Sequence, residues 1–181
     1  MAERGKQVFR IVIDGPQQAI FDELTRTDRP LPAIFNAHMH VTKLARGGAM
    51  QMRTPSNKHV LVVGEILEYD PPHRFAHTHR FVQQDDPYCR VTYELKPVKG
   101  GIEVTLTVDD VPLGTKTEKD MGQGGHSILG NLKSVVETGK PLFGWRLMYR
   151  ALGVLENILP ARSRTANWPL AEKPPREKEP T

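Results

Sequence analysis

The stretch that decides the fold is Gly64-Glu65-Ile66-Leu67-Glu68-Tyr69-Asp70-Pro71-Pro72-His73-Arg74-Phe75. It predicts the end of a β-strand over residues 59–70, a tight turn at the two prolines, and a second strand over 74–83. Because proline has no backbone N–H to donate, the hydrogen-bond ladder between the strands must break at this turn. More strand-like runs lie on both sides and a helical run follows, so the hairpin is predicted to belong to one antiparallel sheet.

Five more strands are predicted from short apolar runs that are bounded by turn residues. They cover residues 8–13, 38–45, 49–54, 88–96 and 102–110. The glycine pairs at 47–48 and 100–101 supply two of the turns. The sequence therefore predicts seven strands, with a helix after the first of them.

Apolar residues at helical spacing predict three helices. The first covers residues 16–25, and the second covers 125–138 and ends at a glycine cap, Gly139. Residues 112–124 are rich in glycine and lysine, and the prediction there is irregular structure. A third amphipathic run covers residues 142–159 and ends at a proline.

This order of elements is typical of an α+β domain. A seven-stranded antiparallel sheet twists strongly, so a long amphipathic helix can cover its concave face and leave a ligand cavity. We predict a folded domain over residues 7–141, a helical extension over 142–170 and a disordered tail over 171–181, where the chain is polar and rich in proline.

Composition narrows the class of protein. The chain has 181 residues, of which 38% are hydrophobic and 25% are charged, as in ordinary globular domains. A net charge of +4 is too dilute for a nucleic-acid interface. Its one cysteine, Cys89, allows no intrachain disulfide. Because there is no signal-peptide pattern and no run of about 18 apolar residues, we expect a cytoplasmic protein.

Three segments resemble a known family. Residues 13–25 are similar to its first strand and helix, residues 64–75 to its Gly-Glu…Pro-Pro hairpin, and residues 125–141 to its terminal helix. This is the branch named for the activator of the heat-shock-protein-ninety ATPase, in the START-like (SRPBCC) superfamily that includes the birch-pollen-allergen fold and polyketide cyclases. The chain departs from the family at Phe21 and His126, where tryptophan is usual.

The resemblance covers roughly residues 7–141. It implies a helix-grip fold, in which a seven-stranded antiparallel sheet wraps around a long C-terminal helix. The superfamily hosts binding, transport and catalysis on one scaffold, so the fold does not decide the function.

Two His-x-His pairs are the sharpest chemical feature. His38 and His40 are predicted to share one face of a strand, and a face of another strand holds Phe75, His77, His79 and Phe81. Neutral imidazoles on adjacent strands can bind a metal such as zinc if both pairs point the same way. A polar pocket lining or a solvent-facing surface does not require the two pairs to be close or to point the same way. We therefore predict no metal and no cofactor.

The same strands supply candidates for a ligand pocket. The sheet side is predicted to contribute Met39, Met50, Met52, His77, His79, Tyr93 and Leu106, and the helix side His126, Leu129 and Leu132. Methionine adapts to loosely specific apolar ligands, and His77 and His126 are expected to orient the ligand. The alternative for each apolar residue is ordinary core packing.

Three functions stay open. The first is binding of a hydrophobic small molecule or lipid in the cavity. The second, implied by the resemblance, is a module that docks on a chaperone or another protein. The third is an enzyme of the cyclase or hydrolase kind that uses His77, His79 or His126 as an acid–base group, although no paired carboxylate is visible to tune these histidines.

The extension adds two alternatives. Residues 142–159 carry an apolar stripe beside Arg146 and Arg150, which suits a peripheral membrane contact or a homodimer interface. Packing of this stripe on its own domain is the slightly favoured interpretation.

Overall fold

The computed structural model describes residues 3–171, except for four side chains between residues 152 and 157. Strand β1 (Arg4–Ile13) and helix α1 (Gln17–Thr25) come first. The next six elements are β2 (His38–Val41), β3 (Ala49–Arg53), β4 (Val60–Asp70), β5 (Arg74–Phe81), β6 (Cys89–Val98) and β7 (Gly101–Pro112). Helices α2 (Lys116–Thr138) and α3 (Phe143–Leu155) follow, and then three short 3₁₀ turns. The predicted tail lies outside the described residues beyond Ala171.

All seven strands form one antiparallel sheet in the order β1-β7-β6-β5-β4-β3-β2. The Pro71–Pro72 turn joins β4 to β5, where Tyr69 pairs with Phe75 and Asp70 with Arg74. Helix α2 packs on β1, β7 and α1. The predicted α+β class, with a seven-stranded antiparallel sheet and a long late helix, is confirmed.

The core lies between the sheet and the second half of α2. Leu132 is fully buried there, and Leu129 and Val135 are nearly so. Phe21 and Leu24 of α1 are also fully buried and close the core from the side. These contacts remove large apolar side chains from water, which is the main favourable term in folding.

Helix α2 begins at Lys116, so the prediction of irregular structure over residues 112–124 is wrong. Thr115 is the N-cap, and its hydroxyl accepts a hydrogen bond of 3.3 Å from the backbone N–H of Glu118. The carboxylate of Glu118 in turn accepts one of 2.7 Å from the N–H of Gly114. This reciprocal capping satisfies backbone donors at the helix start and outweighs the poor helix propensity of the glycines that follow.

One glycine in this helix is required by packing. A Cβ atom built on Gly125 would lie 2.4 Å from the nearest ring atom of Phe9, far inside van der Waals contact. At Gly122, the nearest atom to such a Cβ belongs to the flexible side chain of Gln7 and lies at 3.6 Å, an ordinary contact. Gly125 therefore lets α2 approach strand β1 closely.

Residues 142–171 return over the domain. The hydroxyl of Tyr149 in α3 donates a hydrogen bond of 2.8 Å to the carbonyl of Pro32. Further along, the side chain of Gln51 donates one of 2.9 Å to the carbonyl of Trp168, whose ring packs on a small buried cluster of Val60, Val63 and Val82. Within the described part of the chain, no helix combines the length and apolarity that crossing a membrane requires.

The close approach at Gly125 generates a prediction with an internal control. In an exposed helix, Gly→Ala stabilises by about 0.5–1 kcal/mol. We expect this gain for Gly122→Ala, but a loss of about 1–3 kcal/mol for Gly125→Ala, because the added methyl group overpacks against Phe9. Urea unfolding of the two variants measures both. In a Phe9→Ala background the Gly125→Ala substitution should cost less than it does in the wild type, and equal gains for Gly122→Ala and Gly125→Ala would contradict the contact.

Candidate functional site

A cavity of about 620 Å³ lies between the sheet and the first half of α2. This volume falls within the range of small-molecule sites, about 300–1,000 Å³. Strands β3 to β7 supply one wall and α2 the facing wall, while the loop at residues 34–37 and Trp145 of α3 border the mouth.

Strand alternation and register build the sheet wall. Phe75, His77, His79 and Phe81, every second residue of β5, all line the cavity. The register aligns two rows of lining side chains across three strands. One row is Phe75, Tyr93 and Leu106, and the other is His77, Val91 and Val108.

The helix wall is open because it carries few large side chains. Met121 and Ile128 face the cavity from α2, and Gly124 and Gly125 lie between them. Glycine has no side chain to fill the space, so the curved sheet stays uncovered along this half of the helix. The same helix fills the core one turn later, where Leu129 and Leu132 pack.

His77 presents a lone pair inside the protein. Its Nδ1 lies 2.9 Å from the carbonyl oxygen of Thr78, which can only accept, so Nδ1 carries the proton. Nε2 of the neutral ring is then an acceptor. Burial lowers the pKa of His77 to about 4, because the charged form would lose its hydration.

His79, the other cavity histidine, has a buried nitrogen that lacks a hydrogen-bond partner in the described part of the chain. Its Nε2 is buried and has no hydrogen-bond partner among the described residues. Burial, and then the neighbouring His77, lower the pKa of His79 to about 3. Buried polar groups are nearly always hydrogen-bonded, so one without a protein partner marks a place for a ligand group or a water molecule.

The mouth has a polar side. Asp120 of α2 accepts hydrogen bonds from Gln84 at 2.6 Å and from Lys116 at 2.8 Å. The hydroxyl of Thr117 bonds to Gln84 and, at 2.7 Å, to Asp86. This network ties the start of α2 to the loop after β5 and so holds the mouth in shape.

The other side of the mouth is aromatic. The rings of Phe35 and Trp145 meet edge to face with their centroids 5.1 Å apart. Both residues line the cavity and both are half-buried. A pair of rings from two separate segments thus forms an apolar lip.

The structure brings five of the ten predicted pocket residues to the cavity wall: Met52, His77, His79, Tyr93 and Leu106. Met39, Met50, Leu129 and Leu132 lie in the buried core cluster and not on the wall. His126 is exposed, with its ring 4.7 Å from that of Phe9. The longer α2 explains this placement, because its first half faces the cavity and its second half faces the core.

Several wall residues were absent from the sequence prediction. Those outside the strands include Ile34, Phe35, Ala37, Met121 and Trp145, which come from the loop, the start of α2 and the extension. The loop offered one local signal, the apolar run Ala33-Ile34-Phe35 after two spaced prolines. A loop that carries such a run must bury it somewhere.

The two His-x-His pairs lie apart. His38 and His40 are on β2, and the other pair is on β5, with β3 and β4 between. Nε2 of His38 lies 3.0 Å from the carbonyl of Thr27, and Nε2 of His40 lies 2.6 Å from the side-chain oxygen of Asn57. In the described residues, no three His, Cys, Asp or Glu side chains group as metal ligands.

Comparison with known sequences decides the family. The sequence model of one family, "Activator of Hsp90 ATPase homolog 1-like protein", matches residues 6–137. The chain belongs to this family. The resemblance found in residues 7–141 is therefore confirmed. No curated protein matches the chain.

Solved structures share the fold of this family member at low identity. Protein MLL2253 from Mesorhizobium loti is 18% identical and covers 74% of this chain and 97% of its own, with a TM-score of 0.62. The Aha1 dimer from Colwellia psychrerythraea is 18% identical, covering 75% and 98%, with a TM-score of 0.60. CalU16 from Micromonospora echinospora is 17% identical, covering 88% and 96%, with a TM-score of 0.58.

The two cavity histidines should make the folded protein less stable in acid. Their folded-state pKa values of about 4 and 3 lie below the ordinary 6.5, so the unfolded chain takes up protons first as the pH falls. Their stabilising effect is complete above pH 6.5 and is lost on acidification from 6.5 to about 4 for His77 and to about 3 for His79. We expect each histidine to cost about 2 kcal/mol of unfolding free energy between pH 7 and pH 5.

Urea unfolding at both pH values measures this loss. The double variant His77→Gln/His79→Gln should lose far less stability than the wild type between pH 7 and pH 5. His126→Gln, which removes an exposed histidine outside the cavity, is the matched control and should keep the wild-type loss. An unchanged loss in the double variant would show that these rings do not resist protonation.

Proposed function

We propose that this protein binds a hydrophobic small molecule or lipid in the cavity between the sheet and α2. The observation that carries this proposal is an apolar cavity of about 620 Å³ that contains a buried imidazole nitrogen without a protein partner. Burial of apolar ligand surface would supply the affinity, at about 2.5 kcal/mol for each 100 Å² removed from water. The family fold commonly hosts ligands of this kind.

The wall chemistry favours a ligand with an uncharged polar group. His77 and His79 stay neutral at pH 7 because burial depresses the pKa of each. Lys116 is the one cationic side chain among the described lining residues, and it lies at the mouth in an ion pair with Asp120. An anionic group deep in the cavity would lose its hydration without gaining a counter-charge. A hydroxyl group would instead donate a hydrogen bond to a lone-pair nitrogen such as Nε2 of His77.

The catalytic alternative has less support from the same groups. Acid–base catalysts work best with a pKa near the operating pH. Imidazoles with pKa values near 4 and 3 are not in the imidazolium form at neutral pH, so they cannot act as general acids there, and they are weak bases. Binding needs only their hydrogen bonds.

A second candidate function is docking on a chaperone, and the observation that favours it is the family to which the chain belongs. Its test is the ATPase rate of a purified chaperone of the Hsp90 class, with and without this protein. An accelerated rate would support this function independently of any bound ligand.

Ligand binding is tested with a paired cavity variant. We expect the uncharged probe N-phenyl-1-naphthylamine to bind and fluoresce in the wild type. Gly124→Leu places a side chain in the cavity and should weaken binding at least about tenfold, whereas Gly122→Leu, on the same helix but off the wall, should not. Native mass spectrometry of the protein as purified from cells identifies any retained lipophile. Equal probe binding by both variants would refute the proposed site.

The polar group is tested with two probes that differ by one hydroxyl. We expect 2-naphthol to displace the fluorescent probe about fivefold better than naphthalene, because its hydroxyl reaches a cavity imidazole. His79→Phe should abolish this preference while keeping naphthalene binding. A preference that survives in His79→Phe would move the polar contact elsewhere in the cavity.

A further inference from the structure

Helix α3 has two faces with opposite surroundings. Its inner face packs on the domain through Trp145, which lines the cavity, and Tyr149, which bonds to Pro32. Its outer face leaves Phe143 78% exposed and Leu147 62% exposed. These two residues are four positions apart and so lie side by side on the helix surface. Leu142, just before the helix, is 47% exposed.

The patch is framed by positive charge. Arg146 and Arg150 are exposed on α3, Lys140 precedes the helix, and residues 139–155 contain no Asp or Glu. Neither arginine forms an ion pair within the described part of the chain. Both charges are therefore available to an external anion.

We propose that α3 docks on the surface of an anionic lipid bilayer. Phe143 and Leu147 insert at the level where headgroups meet acyl chains, and Arg146 and Arg150 contact anionic headgroups. An amphipathic helix with large apolar residues on one side and arginines beside them is the pattern of membrane-surface helices. The complementarity of charge argues for a lipid surface over a second copy of this chain, which would bring the same cations together.

Docking would also orient the cavity. Trp145 lies between Phe143 and Leu147 in the chain and forms the lip of the mouth with Phe35. A protein held to the bilayer by α3 therefore keeps its mouth close to the lipid surface. The docking stands on the exposed helix face alone, whereas passage of a lipophile from the bilayer into the cavity rests on the proposed ligand binding.

Vesicle flotation with the full chain tests the docking. We expect binding to vesicles of phosphatidylcholine with about 30% phosphatidylglycerol, weak binding to pure phosphatidylcholine, and partial release in high salt, which screens charges. Phe143→Ser/Leu147→Ser should reduce binding to the anionic vesicles at least about tenfold. Val8→Ser/Val98→Ser removes two exposed apolar side chains elsewhere and should change little.

Two matched charge-reversal variants test the electrostatic part of the proposal. Arg146→Glu/Arg150→Glu and Lys96→Glu/Lys99→Glu each lower the net charge by four, from +4 to 0, because each reversal removes two units from the total. Only the first pair should abolish binding, because only it faces the bilayer. Thermal unfolding of every variant confirms that it is folded. Equal losses for the two pairs would reduce the effect to net charge and overturn the proposal.

Two other results would overturn it. One is no binding of the wild type to anionic vesicles. The other is a wild-type dimer in light scattering that Phe143→Ser/Leu147→Ser converts to monomer, which would assign the patch to a second copy. Failure of docking is distinguishable from failure of the cavity, because Gly124→Leu should lose the fluorescent probe and keep the vesicles, and Phe143→Ser/Leu147→Ser should do the reverse.

Discussion

The close approach of α2 to the sheet at Gly125 is the contact on which the rest of the molecule depends. Phe9 occupies the space that a side chain at this position would need, so the helix can lie against β1 only if the residue is glycine. From this point the helix has two different roles. Its second half presents Leu129 and Leu132 to the core and holds the fold together. Its first half presents glycines to the concave sheet, and the uncovered space is the cavity. A packed core and an open cavity thus come from one helix, because its first half carries glycines and its second half carries leucines.

The cavity also has a thermodynamic cost. His77 and His79 sit where a charged imidazole is disfavoured, and Nε2 of His79 lacks a protein partner. An apolar residue at position 79 would fill this part of the wall without an unpaired polar atom. Such departures from an optimal core concentrate at functional sites, where a strained or unsatisfied group serves binding and not folding. A ligand group that bonded to Nε2 of His79, as in the proposed function, would remove this cost.

Local patterns in the sequence predict most of the fold and only part of the site. The strands follow from alternation and from turn residues, and the Pro71–Pro72 hairpin lies where it was expected. The start of α2 does not follow, because helix propensity in a glycine-rich segment is low, and what stabilises the helix there is the Thr115–Glu118 capping and the contact with β1. Half of the predicted pocket residues lie on the wall because strand alternation identifies which side chains share a face. Phe35 and Trp145 could not be predicted, because their meeting depends on how distant segments fold back on each other.

The extension, residues 142–171, is attached to the domain in a way that fixes the orientation of α3. It is attached at both ends: Tyr149 bonds to Pro32 beside the mouth, and Trp168 packs on the outer face of β4 while its carbonyl bonds to Gln51. Between these anchors the buried hydroxyl of Ser163 donates to Pro160 and so accepts from Nδ1 of His59. A segment held at several points keeps the outer face of α3 at a constant angle to the cavity. The direction in which Phe143 and Leu147 project is therefore a property of the folded domain, and a surface that bound them would lie across α3 from the lip at Trp145.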